Sequence, residues 1–417
     1  MYGRIHVGNA RPFVVFSLLK RFLVHEGYNV TLVVNITDVN DKIYAAAGAA
    51  GVASEQLARE MTAAYIADTD GLGLGRPDLE PLASQTMREI IELIERLIGR
   101  GHAYPVDGDV YFAVRSYARY GEISHQLIDQ MDQDEGVEGA ERKRDPLDFA
   151  LWKGSKAGED TAWDSPWGAG RPGWHIECSA MAQSLLGAGF EIHGGGTDLI
   201  FPHHENEAAQ TFAACGAPLA QLWVHNGMVR LEEQKMAKSV GNIFGLHQAL
   251  RAYGRDALIM YFCAGHYRQP IEFDDQRLEQ AAASVRRVRE AARKLTAGPS
   301  SDWSKPLREK FFDALAADFN TPAALAVLFD WIREANRAEH GAGDADLREM
   351  LDVLGLENLL EPFVVEPPAS VLALRDARER ARADGNYAEA DRLREQLRVQ
   401  GWEVRDGPGG PELLPLA

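Results

Sequence analysis

Apolar residues recur at helical spacing over 12–26, where Phe13, Phe16, Leu19 and Leu23 share one broad face. Gly27 breaks that pattern, and the β-branched run 29–34 reads as a fully buried strand. A helix followed at once by a buried strand is half of a parallel crossover unit, so a strand is expected ahead of His6. Helical spacing returns over 56–67 and 85–98, and 109–114 reads as a strand. The stretch 132–170 is rich in charge, Gly and Pro and reads as an insertion built of loops. Apolar patterning resumes over 174–186, at 190–193 and in a strand at 222–225. From 276 the pattern is helical almost to 360, 362–368 reads as a linker, and helices over 375–400 lead into a Gly-Trp-Glu-Val strand and a Gly/Pro-rich tail. There are no internal repeats.

Composition narrows the class. The chain has 417 residues, 46% of them hydrophobic, enough to bury the cores of about two to four domains. No long uncharged apolar run suggests a membrane span, and Met1-Tyr2-Gly3-Arg4 leads straight into a motif rather than a signal peptide. Cys178, Cys215 and Cys263 are too few and scattered for a disulfide framework, so a reducing, cytoplasmic setting is expected. The net charge of −18 argues against nucleic acid only as a total, because local basic patches decide binding. One such patch is Arg286, Arg287, Arg289, Arg293 and Lys294; others are Arg375, Arg378 and Arg382, then Arg392, Arg394 and Arg398. Solvated helix faces laced with Glu account for the same spacing.

Candidate chemistry lies in three places. His6-Val7-Gly8-Asn9 opens the first helix, where imidazole and amide donors beside free N–H groups suit the oxygens of a triphosphate. Lys235-Met236-Ala237-Lys238-Ser239 offers two ammonium groups that can neutralise charge growing on a leaving pyrophosphate. His203 and Glu207 stand four residues apart after Pro202, so a helix would place them on one face. With Cys178 they make a plausible three-donor metal set with an open position. A capped helix beside an inert buried cysteine is the alternative, and His175 and His193 lie near in sequence.

The order of these stretches resembles that of the bacterial cysteinyl-tRNA synthetases, a class I aminoacyl-tRNA synthetase family, over nearly the whole chain. The resemblance rests on 4–11, Asn35-Ile36-Thr37-Asp38-Val39-Asn40-Asp41-Lys42, 145–153, 170–181, 193–207, 235–242, Gly265-His266-Tyr267-Arg268 and Asp318-Phe319-Asn320-Thr321-Pro322. It implies a Rossmann-like, doubly wound parallel α/β catalytic domain over 1–225 with an insertion at roughly 105–165. A connective region with the lysine loop (226–295), an α-helical bundle (296–362) and a small anticodon-binding domain (369–417) would follow.

The resemblance also implies roles. His6, Gly8, Asn9 and Lys238 match ATP-binding positions, with His6, Asn9, Lys235 and Lys238 supplying catalysis. Thr37, Trp174 and His193 match the substrate-cysteine pocket. Cys178, His203 and Glu207 match ligands of one Zn2+ that selects the thiolate over serine. The implied reaction joins L-cysteine to tRNA(Cys) through cysteinyl-adenylate, with Mg2+ accompanying ATP, in a monomer.

The chain departs from the family in four respects. The family carries a further zinc-ligand cysteine in a Cys-Gly-Pro-Thr-Val-Tyr run just before the first motif; Met1 stands where its valine would be, and the start is expected to lie upstream. Asn9 replaces a usual His, Ala237 replaces a usual Ser, and 411–417 lacks the usual aromatic and basic ending. Two other functions share parts of this pattern: the cysteine ligase of mycothiol biosynthesis, which dispenses with an anticodon-binding tail, and a non-catalytic tRNA-binding paralogue.

Overall fold

The computed structural model describes residues 2–131, 140–231, 234–235, 244–338, 342–361, 367–407 and 410–415. Helix α1 spans Val7–His25 and starts five residues earlier than its apolar face suggests. The cause is a reciprocal cap: His6 is the N-cap, and its backbone N–H donates to Asn9 Oδ1 at 3.3 Å.

The run 29–34 differs from expectation. It is extended but half-exposed and joins no regular strand; parallel bridges Val33↔Leu79 and Ile36↔Leu82 and a bond from Leu32 N to Asp78 Oδ2 at 2.6 Å tie it down. A strand is buried on both faces and paired on both edges only when neighbours flank it; among the described residues this segment is bridged on one side alone.

Asn40 then caps α2 (Asp41–Ala50) by accepting from Lys42 N at 2.9 Å. Helices α3 (Ser54–Asp70) and α4 (Met87–Gly99) follow, α4 burying Met87, Ile90, Leu93, Ile94 and Leu97 on one stripe. The insertion is more ordered than loops. Strands β1 (Ala103–Val106), β2 (Asp109–Phe112), β3 (Phe149–Gly154) and β4 (Gly170–Pro172) form an antiparallel sheet in that order. The strand expected at 109–114 is β2; the other three are short and set among charged residues, with too little alternation to be read from sequence.

Helix α5 (Trp174–Leu186), β5 (Phe190–Gly196), α6 (Glu205–Cys215) and β6 (Ala220–Asn226) make a parallel crossover unit, with β5 and β6 paired from Phe190↔Ala220 to Gly196↔Asn226. A small sheet of β7 (Val229–Leu231), β8 (Gln234–Lys235) and β9 (Ile271–Glu272) brackets α7 (Leu246–Ala264). Helices α8 (Asp275–Ala292), α9 (Lys305–Ala316), α10 (Thr321–Arg337) and α11 (Ala345–Val353) share one apolar core with α1 and α7. A second core joins α4, the antiparallel sheet, α5 and α6. Last come α12 (Ala369–Ala383), α13 (Tyr387–Val399) and a hairpin of β10 (Trp402–Gly407) and β11 (Gly410–Pro415), packed on Val371, Leu397, Trp402 and Val404. Much of the expected tail is thus a strand. Among the described residues, no helix is long and apolar enough to cross a membrane.

Candidate functional site

The N-terminus of α1 and the flanks of the lysine stretch lie side by side. Val7 N donates to Phe244 O at 3.0 Å and Leu246 N to Ile5 O at 3.1 Å, so residues 5–7 form a bridge with 244–246. Upstream of the lysine stretch, β7 pairs with β8 through Arg230↔Lys235, which fixes the Lys235 backbone. Lys238 lies outside the described residues. At the helix start the His6 ring covers Gly8: a Cβ on residue 8 would sit 2.9 Å from its Cε1 and Nδ1. Any side chain at 8 would have to displace the imidazole, a constraint that spacing alone did not reveal. Asn9 is exposed and spends its side-chain oxygen on the cap.

About α5 and α6 a buried polar cluster assembles. Cys178 and Trp174 stand one turn apart on α5, while His203 sits in an irregular turn, 200–204, where Phe201 is extended (φ −135, ψ 133). The ligand atoms of Cys178, His203 and Glu207 all lie within 4.8 Å of one another, and all three residues are buried. Each is held by a further side chain. His203 Nδ1 is 2.8 Å from His175 Nδ1, which leaves its Nε2 turned to Glu207 Oε1 at 3.7 Å. Glu207 Oε2 is bonded to His193 Nε2 at 3.0 Å, and Asn35 Nδ2 donates to Cys178 Sγ at 3.3 Å. The remaining oxygen, Glu207 Oε1, is buried without a hydrogen bond.

The charge states follow from burial and neighbours. Burial pushes His203 down to about 4, so its ring is neutral and its lone pair available at neutral pH. Burial also opposes ionisation of Glu207, but the imidazoles of His193, His203 and His204 outweigh it and hold the carboxyl near about 2. The Cys178 thiol is driven well above its ordinary range by burial and then by Glu207. A buried carboxylate with an open lone pair, a neutral imidazole and a thiol that ionises only beside a cation form a donor set for a borderline-soft metal ion.

His193, His204 and Glu207 form a second group of the same spread. Its His193 nitrogen is already committed to Glu207, His204 Nδ1 is 2.8 Å from His225 Nε2, and it offers no thiol. The first group is therefore the better metal centre.

The neighbours expected to line a substrate pocket fall around this cluster. Trp174 is 44% exposed, with its ring 4.4 Å from that of His203, so an apolar face stands open beside the donors. His193 bridges to Glu207 rather than standing free, and Thr37 is half-buried two residues beyond Asn35. His204, His225 and Asn35 were not singled out from the sequence. A histidine's partners lie up to 28 residues away here (His175 to His203), and nothing local marks them.

The arginines of the C-terminal unit are not a free basic stripe. Arg378 is buried and holds Asp406 with both terminal nitrogens, at 3.0 and 2.9 Å; Arg382 also pairs with Asp406, and Arg375 with Asp376. Their spacing reflects packing of α12 on the hairpin. Arg394 and Arg398 on α13 are exposed.

Comparison with known proteins agrees along the whole chain. Residues 1–283 match the family model of the tRNA synthetases class I (C) catalytic domain, 310–358 the DALR domain, and 366–411 the cysteinyl-tRNA ligase anticodon binding domain. A cysteine–tRNA ligase of Pseudothermotoga lettingae is 45% identical over 98% of this chain and 92% of its own length. Another, of Rubrobacter xylanophilus, is 45% identical over 99% and 93%. Among solved structures, Mycobacterium tuberculosis methionyl-tRNA synthetase in complex with methionyl-adenylate superposes with a TM-score of 0.60 at 16% identity, over 86% of this chain and 87% of that one. At that identity the likeness speaks for the fold alone.

Proposed function

The chain belongs to the cysteine–tRNA ligase family of class I aminoacyl-tRNA synthetases, and from that premise we propose how its own residues carry out the ligation. L-Cysteine is activated first. Its carboxylate attacks the α-phosphorus of ATP and pyrophosphate leaves, giving cysteinyl-adenylate. The terminal ribose hydroxyl of tRNA(Cys) then attacks the activated carbonyl and AMP leaves. No enzyme side chain forms a covalent bond, so catalysis is orientation and charge neutralisation.

His6 and the amides at the N-terminus of α1 hold ATP, Gly8 leaving room for the His6 ring; Asn9 supports them by accepting from the N–H of the N-cap His6. Lys235 and Lys238, on the stretch whose flanks abut His6, neutralise the departing pyrophosphate together with Mg2+. Trp174, Thr37 and His193 surround the amino acid.

Cys178, His203 and Glu207 would hold one zinc ion. When bound, zinc supplies a ligand position that a cysteine thiol fills far better than a serine hydroxyl. His175, His193 and Asn35 orient those donors, the arrangement by which outer partners tune metal ligands. The observation that carries this reading is the buried Glu207 Oε1, which makes no hydrogen bond and lies among Cys178 and His203. An orphaned buried carboxylate oxygen is costly unless a cation meets it. The synthetase reading is favoured over a tail-less cysteine ligase by the C-terminal match at 366–411, and over a non-catalytic paralogue by the assembled donor set.

The test is cysteine-dependent ATP–pyrophosphate exchange followed by charging of tRNA(Cys), with serine as control. Exchange with cysteine alone, and charging that needs tRNA(Cys), is expected. Absence of both from folded, zinc-loaded protein would leave only a binding role.

A further inference from the structure

Two stretches that carried the sequence resemblance have no part in the chemistry above: His266-Tyr267-Arg268, after α7, and Asp318-Phe319, before α10. The fold brings them together. Asp318 accepts a bidentate pair from Arg268, with Nε and Nη2 each at 2.7 Å, and a third bond from the Tyr267 hydroxyl at 2.9 Å. His266 Nε2 lies 3.8 Å from the same carboxylate. Arg268 in turn, with help from the Tyr267 hydroxyl and against the effect of burial, holds the Asp318 carboxyl below the usual range.

The backbone at this point is held in an unusual state. Asp318 (φ 61) and Phe319 (φ 50) are both left-handed without being glycine. Such residues persist only where the surroundings over-determine them, and they cluster where geometry matters to function. The turn places Asp318 on the 266–268 loop and Phe319, buried, against α1, its ring 6.1 Å from that of Phe22.

The other side of the loop is tied to the nucleotide-binding helix. Arg11, one turn into α1 and fully buried, donates to Gly227 O at 2.6 Å, Met228 O at 3.2 Å and His266 O at 3.1 Å. Gly227 N donates to Tyr267 O at 2.7 Å, and a Cβ at 227 would come within 2.3 Å of the Gln269 carbonyl. Residues 227–228 lead directly into β7 and the lysine stretch. The 266–269 loop thus touches the first-motif helix, the approach to the lysines and the helical bundle.

We infer that Asp318 is a positioning residue for ATP use: through Arg268 and Tyr267 it fixes the 266–269 loop, and through Arg11 and Gly227 that loop sets the first motif against the approach to the lysines. This rests on the synthetase reading. Cys178, His203 and Glu207 make none of these contacts; one link to them is His225, two residues before Gly227, which meets His204, so the effect is expected on ATP ahead of the amino acid.

The experiment compares wild type with Asp318→Asn, Asp318→Gly, Tyr267→Phe and Arg268→Ala in cysteine-dependent exchange, alongside thermal unfolding. Asparagine and glycine both tolerate the left-handed backbone, so these variants keep the fold while weakening or removing the carboxylate contacts. Asp318→Asn and Asp318→Gly should raise KM for ATP or lower kcat by about tenfold, leave KM for cysteine unchanged and shift Tm by no more than about 2 °C. Tyr267→Phe should do the same more weakly, and the double variant Asp318→Gly/Arg268→Ala should be no worse than either single change. Loss of activity that merely follows Tm, with both KM values unchanged, would overturn the inference, as would exchange equal to wild type in every variant. Wild type without exchange would instead refute the synthetase reading itself.

Discussion

The cluster on α5 and α6 and the arginines of α12 both present polar residues at helical spacing, yet they mean opposite things. Around Cys178, His203 and Glu207, every outward atom is bonded to a neighbour while the inward ones converge on each other, and one of them has no bond at all. On α12, by contrast, Arg378 and Arg382 close on the one carboxylate of Asp406. Buried donor atoms that converge on one another point to a ligand; polar residues that pair off with one another point to a scaffold.

The sharpest way to break this contrast is to remove a donor. Cys178→Ser or Glu207→Gln should lower bound zinc below stoichiometry and reduce cysteine-dependent exchange by at least ~100-fold, beyond the upper end for outer-partner changes. Metal analysis of the purified variants beside exchange rates reads both effects. Full activity without metal would refute the assignment.

Next in size is Gly8→Ala. The added methyl meets the His6 ring at 2.9 Å, so the imidazole must move and KM for ATP should rise about tenfold with KM for cysteine unchanged.

The two faces of the C-terminal unit give the third test. Arg378→Ala removes a bidentate partner of Asp406 and should destabilise that unit by about 1–3 kcal/mol without changing exchange. Arg394→Ala and Arg398→Ala should leave Tm in place, weaken tRNA(Cys) binding and reduce its salt slope by about one per charge. Equal effects of Arg378→Ala and Arg394→Ala on tRNA binding at unchanged stability would erase the distinction.

The smallest effect is in pH. Arg378, and then Arg382, hold the Asp406 carboxyl down to about 2. A lowered carboxylate pKa stabilises the fold above its unfolded value, near ~3.9, and that contribution disappears as pH falls towards 2. Local unfolding of the C-terminal unit, followed by Trp402 fluorescence, should shift upward in pH when Arg378 is replaced.

Much of this contrast was hidden from the sequence for a physical reason. Spacing reports which residues share a face, and it gave α1, α4 and α5 and the pairing of His203 with Glu207. It does not report what that face meets. The Arg378–Asp406 pair joins residues 28 apart, and the same separation parts His175 from His203. The half-exposed run 29–34 was misread because its β-branched composition is that of a buried strand, whereas burial depends on neighbours. Of the antiparallel sheet of 103–172, the strand expected at 109–114 is present as β2, whereas β1, β3 and β4 escaped because strands of three to six residues offer too few alternations. Lys238 lies outside the described residues, so its role continues to rest on the motif.

The most direct test of the central claim is cysteine-dependent ATP–pyrophosphate exchange before chelation, after chelation and after zinc is returned, with serine throughout. The account predicts exchange with cysteine only, lost on chelation and restored by zinc. Exchange that persists in metal-free protein, or that serine supports equally, would contradict it.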